Sequence, residues 1–189
     1  MSRIENFMTF KHFFTPINCG EQAHQPSVCI IYSSVTGNTR QLAEALAQAT
    51  HFPLFSVQNP PDLTQFPILA LGFWVKRGLP DCAMWQFMAT IHAKQIFFFC
   101  THAAWPDSEH MQKCRDNVVT LLKSQQNVVL GYFTCQGRVR AQDGHVQSHH
   151  PLTQERLMRL EEAQHHPNQS DCAQVVQSFA EALAKVQGV

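Results

Sequence analysis

No run of apolar residues in this chain approaches the roughly 20 that a membrane-spanning helix needs. The longest candidate, Ile96 to Cys100, is the length of a strand. An excess of one charge is also missing, since 14 Lys and Arg balance 14 Asp and Glu. No basic cluster marks a nucleic-acid or anionic-membrane partner. Residues 1 to 15 lack the uninterrupted apolar stretch of a signal peptide, because Arg3, Glu5, Lys11 and His12 interleave with the phenylalanines, so export is not expected. The seven cysteines include no C-x-x-C pair and are odd in number, which fits neither a disulfide framework nor a thiolate zinc site. Reduced, mostly buried thiols in a cytoplasmic protein are the expectation. Charged residues make up only 15% and hydrophobic residues 44% of 189, so the chain folds, as one domain with additions, and carries no internal repeat.

What is present is an alternation. From residue 28 onward, strand-length apolar runs alternate with helical periodicity, a rhythm that favours parallel βαβ units with helices on both faces of a sheet. The runs are Val28 to Tyr32, Leu54 to Val57, Ile68 to Phe73, Gln95 to Cys100 and Val128 to Phe133. Between them the spacing predicts helices over Thr39 to Ala49, from Pro80 with Met84, Phe87, Met88 and Ile91 on one face, and over Ser108 to Lys123. A last helix, capped by Ser170, carries Cys172, Val175, Val176, Phe179, Leu183 and Val186 as its apolar stripe. Residues 1 to 27 fall outside this rhythm and read as an N-terminal extension. Residues 136 to 169, rich in Gln and His, read as an insertion in the domain of residues 28 to 189, with a short helix over Thr153 to Ala163.

Between the first strand and the first helix lies Ser33-Ser34-Val35-Thr36-Gly37-Asn38-Thr39. A helix start offers unpaired backbone N–H groups and the positive end of a dipole, and Ser and Thr hydroxyls add donors, so a phosphate can be held there without Lys or Arg. Gly37 permits the tight turn. Neither the Gly-Lys-Ser/Thr nucleotide loop nor a G-x-G-x-x-G fingerprint is present, so ATP, GTP and dinucleotide readings lose their usual support. The alternative is a serine-rich turn that merely caps a helix.

The stretch Ser34-Val35-Thr36-Gly37-Asn38-Thr39 resembles the phosphate loop of the flavodoxin family, S/T-x-T-G-x-T. The resemblance spans residues 28 to 133 plus the last helix. It implies an α/β fold with a doubly wound, five-stranded parallel sheet in the order 2-1-3-4-5, and FMN as cofactor at the carboxyl ends of the strands. It also implies two loops against the flavin ring. Here these are Phe73-Trp74-Val75 with Gly78, after the third strand, and Thr101-His102-Ala103-Ala104-Trp105, after the fourth. Trp74 and Trp105 are the ring candidates, the alternative for each being a ring that packs its loop onto the domain.

The chain departs from the family at Val75, where many flavodoxins have the glycine whose flipping peptide favours the one-electron state, and Gly78 is the nearest substitute. Two-electron chemistry therefore stays open. A neutral chain with Lys76 and Arg77 beside the site also lacks the usual acidic docking surface. The combination G-F-W-V, C-T-H-A-A-W-P-D-S and F-T-C-Q-G further looks like flavodoxin-like proteins associated with tetrapyrrole reduction.

Three functions follow. The first is an FMN-binding redox protein that exchanges electrons with a partner redox protein. The second is an NAD(P)H-dependent or partner-reduced flavin reductase acting on a quinone or tetrapyrrole. The third is a flavin-free binding module for metal, haem or a protein. His145, His149, His150, His165 and His166 follow no metal-ligand register and read as solvated loop residues, so no metal site is expected. His102 can hydrogen-bond the ring, donate a proton or simply pack. Cys100 and Cys135 read as buried inert thiols, and no catalytic pair emerges.

Overall fold

The computed structural model describes residues 27–139 and 153–187. The five apolar runs form five parallel strands: β1 (Val28–Tyr32), β2 (Leu54–Ser56), β3 (Ile68–Lys76), β5 (Gln95–His102) and β6 (Val128–Gln136). Between β3 and β5 a two-residue strand, β4 (Leu79–Pro80), pairs antiparallel with the end of β3. The sheet runs β2-β1-β3-β5-β6, which in parallel strands alone is the expected 2-1-3-4-5.

The helices are α1 (Asn38–Thr50), α2 (Cys82–Met88), α3 (Glu109–Ser124), α4 (Gln154–Ala163) and α5 (Gln169–Gln187). Side chains alternate across a strand, and the continuous apolar runs exist because both faces of this sheet are covered. On one face Ile30, Ala70, Phe97 and Phe99 pack against Leu42 and Leu46 of α1 and Val175 and Phe179 of α5. On the other, Ile31, Leu71, Phe73 and Phe98 pack against Met84 and Met88 of α2 and Met111, Cys114 and Val118 of α3. Each fully buried Phe or Leu contributes about 2 kcal/mol. Gly72 sits mid-strand because the Phe99 ring lies over it; a Cβ there would come within 2.4 Å of Phe99 Cζ.

Three expectations need correction. Pro80 does not open a helix. β3 runs on to Lys76, turns back through Arg77 (φ 53) and Gly78 (φ 80), and Pro80 closes the returning strand. Two left-handed central residues are the turn that matches strand twist in a tight hairpin. Asp81 then caps α2, accepting the Met84 N–H at 3.3 Å. Nor does Ser170 cap the last helix. Asn168 Oδ1 accepts from the N–H groups of Ser170 (2.8 Å) and Asp171 (3.2 Å), while Asp171 Oδ2 accepts from Asn168 N–H at 2.7 Å. That reciprocal box satisfies first-turn donors that a helix leaves open. Finally β5 and β6 extend to His102 and Gln136, past the predicted ends at Cys100 and Phe133, because each still has a strand beside it to pair with.

Candidate functional site

The chain leaves β1 at the middle of the sheet and enters α1 through residues 33–37. Gly37 occupies the N-cap with φ 95, a left-handed conformation that suits glycine, and so brings no side-chain cap of its own. The first-turn N–H groups of α1 therefore have no intrahelical acceptor. The Ser34 hydroxyl accepts from Gly37 N–H at 3.2 Å, and Val35 stands 76% exposed at the apex. Thr39 Oγ1, fully buried, lies 2.8 Å from Thr101 Oγ1 at the end of β5. Only one of the two hydroxyl protons is used in that bond, so the pair retains a donor at the base of the turn.

Ser33 has a different task. Its hydroxyl donates to Asp81 Oδ1 at 2.8 Å, and its N–H donates to Gly72 O at 2.8 Å, so it anchors the turn to β3 and to the cap of α2. Asp81, which the sequence did not single out, is thus a junction: its own N–H donates to Trp74 O at 3.0 Å, and its second oxygen is enclosed without a partner. Asn38 is also turned away from the helix axis, donating from Nδ2 to Arg138 O at 2.9 Å.

Trp74 and Phe73 part company, as neighbours on a strand must. Phe73 is fully buried and stacked on Phe98, in the core on the α2 and α3 face, so it does not join the turn. Trp74 pairs in register with Thr101, whose hydroxyl meets Thr39. Alternation places Trp74 on the face that α1 covers. Its Nε1–H is enclosed without an acceptor, and Lys76 Nζ lies 5.9 Å from its ring centre. Val75 packs against the opposite core, and Gly78, at the hairpin tip, faces His110.

In the second loop, Ala103, Ala104 and Trp105 are half-buried. Trp105 O accepts from the Ser108 hydroxyl at 2.6 Å and the Ser108 N–H at 3.1 Å, which fixes the approach to α3. His102 is buried, with Nδ1 3.1 Å from Ala104 O and Nε2 3.2 Å from Thr134 Oγ1. A neutral imidazole satisfies both, donating from Nδ1 and accepting at Nε2. Desolvation pulls its pKa down to about 4; the Ala104 bond opposes this, and His110 and Arg159 add to it. His102 therefore pins the loop rather than carrying a proton at neutral pH. From above, Arg159 of α4 donates to Ala103 O.

Burial pushes the Cys100 and Cys135 thiols far above the ordinary range, so neither is a thiolate at neutral pH. A cleft of about 270 Å³ lies behind the second loop, lined in part by Asp107, Met111, Arg115, Tyr132 and Thr134. It includes none of the residues expected to hold a cofactor. His145, His149 and His150 lie outside the described residues. Among the described residues no group of His, Cys, Asp or Glu is arranged to hold a metal ion. No described helix is long and apolar enough to cross a membrane. His165 is exposed, but His166 is not a solvated loop residue: Nδ1 lies 2.6 Å from Asp171 Oδ2 and Nε2 3.3 Å from Glu162 Oε1.

A family model described as the flavodoxin domain matches residues 29–180. The chain belongs to the flavodoxin family. Flavodoxins are flavin-binding redox proteins. A flavodoxin-like domain-containing protein, BilS, of Clostridioides difficile (strain CD3) is 26% identical over 123 residues, 58% of this chain and 65% of the relative, so the match spans just under two thirds of that protein. Among solved structures, a flavodoxin from the domain Archaea superposes with a TM-score of 0.55 at 14% identity, covering 85% of this chain and 98% of the other. Flavodoxin 1 of Bacillus cereus gives 0.53 at 17% identity, covering 84% and 97%. At such identities the likeness is one of flavodoxin fold.

Proposed function

We propose that the chain binds FMN and exchanges electrons with a partner redox protein. The observation that carries this reading is the β1–α1 turn, a helix start with glycine at its N-cap, the Ser34 hydroxyl beside it and the Thr39–Thr101 hydroxyl pair at its base, at the carboxyl end of a central strand. In open α/β sheets a ligand crevice forms where neighbouring strands lead the chain in opposite directions, and β1 and β3 are that pair here.

The residues present fit a phosphorylated flavin. Backbone N–H groups of the first turn of α1, with the Thr39–Thr101 hydroxyl pair, would hold the phosphate. The enclosed Trp74 Nε1–H is a donor that a ligand acceptor would complete. Trp74 and Trp105 would border the ring, exclude water and disfavour negative charge on it. The flavin supplies the electron chemistry when bound. The protein's part is to orient it: Asp81 and Ser33 tie the turn to β3, and His102 fixes the second loop through Ala104.

The test is to add FMN to the purified protein, remove the excess, and record the visible spectrum during stepwise anaerobic reduction. Retained flavin reduced in one-electron steps is the expected result. Reduction directly by two electrons, with NAD(P)H consumed in the presence of a quinone or tetrapyrrole acceptor alone, would replace the carrier by the reductase. A colourless protein that releases all FMN would overturn both and leave the binding module.

A further inference from the structure

We propose that Arg138 supplies the positive charge that the β1–α1 turn lacks, and that it binds the phosphomonoester end of the cofactor. The inference rests on the FMN reading above and assigns a ligand-binding part to a segment outside the strand–turn–helix unit.

A phosphomonoester carries close to two negative charges at neutral pH, and the turn itself offers it no free cation. Arg40, the one basic residue in the first turn of α1, is spent on Glu44 at 2.7 Å. Lys76 lies over the Trp74 ring, and Arg159 is directed to the Ala103 carbonyl.

Arg138 is placed differently. It lies two residues past the end of β6, and its backbone is fastened on both sides. Asn38 Nδ2, on the first residue of α1, donates to its carbonyl at 2.9 Å, and its N–H donates to His166 O at 2.8 Å. The preceding Gly137 donates its N–H to His102 O at 2.9 Å. Gly137 also lies flat against Asn38: a Cβ there would come within 2.7 Å of Asn38 Nδ2 and 3.2 Å of Asn38 Cβ. The segment is thus held against the very start of the helix.

From there the Arg138 side chain runs along α1. Its Nη2 donates to Gln41 Oε1 at 3.2 Å. Asn38 and Gln41 are three residues apart and so share one face of the helix within its first turn. The guanidinium is therefore bonded to a side chain whose backbone lies within one turn of the residues that open the helix. Among the described residues no carboxylate pairs with it, and its side-chain partner is a neutral amide. A guanidinium has five N–H donors in a planar fork, a shape that matches two phosphate oxygens at once. An exposed fork with no carboxylate partner among the described residues, beside a helix start with glycine at its N-cap, is what a dianion would recruit.

The experiment compares FMN with riboflavin, which lacks the phosphate, in wild type, Arg138→Gln and Arg138→Lys, by fluorescence titration at low and high salt. Arg138→Gln is expected to weaken FMN binding about tenfold, which is about 1.4 kcal/mol, and to leave riboflavin binding unchanged. Arg138→Lys, which keeps the charge, is expected to retain most of the FMN affinity. The wild-type preference for FMN over riboflavin should shrink as salt rises, and the Arg138→Gln preference should stay flat. Unchanged FMN affinity in Arg138→Gln would overturn the proposal, as would an equal loss for both ligands, which would make Arg138 a scaffold residue only. A wild-type protein that binds neither ligand would instead remove the FMN reading itself. Circular dichroism of both variants checks that the fold persists.

Discussion

His102 and His166 stand on either side of one short segment and hold it in the same way. The carbonyl of His102 accepts from Gly137 N–H, and the carbonyl of His166 accepts from Arg138 N–H. Their imidazoles, however, sit in opposite surroundings. His102 meets a carbonyl and a hydroxyl, and burial drives its pKa down to about 4. Burial also acts to lower His166, but the hydrogen bonds and charges of Asp171 and Glu162 outweigh it and raise the pKa. Desolvation alone disfavours charge on both; the presence of carboxylates reverses the outcome. Behind one anchoring carbonyl stands a ring held neutral, which acid disturbs, and behind the other a ring whose protonated form two carboxylates favour, which base disturbs.

The largest expected effect is at His102. Its folded pKa is depressed below the ordinary 6.5, so its contribution is complete above pH 6.5 and is lost as pH falls from there through about 4. The shift corresponds to about 3 kcal/mol. Urea unfolding across that range should show wild type losing about that much more stability than His102→Asn, which cannot titrate. Parallel curves for the two proteins would mean that His102 is not held neutral.

Asp171 comes next, because it serves both the α5 cap and the His166 ring. Asp171→Asn should cost about 2 kcal/mol at neutral pH, in keeping with the loss of charge-assisted bonds from a buried carboxylate. It should also lower the His166 pKa, which an NMR titration reads directly. An unshifted His166 would show that Glu162 alone sets its charge.

The smallest effect is at His166 itself. Its folded pKa is raised, so its contribution is present below pH 6.5 and is lost as pH rises through the folded value. Solvent screens the pair, and His166→Gln should change stability by less than about 1 kcal/mol. The readout is the slope of stability as pH rises above 6.5, which the variant should flatten. A slope equal to that of wild type would remove His166 from the comparison.

The sheet is legible in the sequence because its strands are buried on both faces and so carry continuous apolar runs, as V-C-I-I-Y and I-F-F-F-C do. The β1–α1 turn is legible because its chemistry is local: hydroxyls, a glycine and a helix start within seven residues. The hairpin is not. A two-residue strand has no periodicity, and Pro80 is as much at home in a helix's first turn as at the edge of a sheet. The α5 cap is missed because Asn168 and Ser170 are both good caps, and hydrogen bonds choose between them. Asp81, Arg138 and the pinned state of His102 depend on partners 30 to 100 positions away, which no local pattern reports. Glu162 could have been found, lying four residues before His166 on helical spacing.

The bond from Asn38 to Arg138 spans 100 positions of chain. At about 5–20 residues per second of synthesis, the ribosome has made the β1–α1 turn about 5–20 s before Arg138 is added. A nascent chain therefore has this helix start long before it has β6, the Gly137–Arg138 segment and His166. The contact between the start of α1 and Arg138 is thus a late one, closed only when β6 is complete, and a truncated chain released earlier would display the turn without the segment that lies against it.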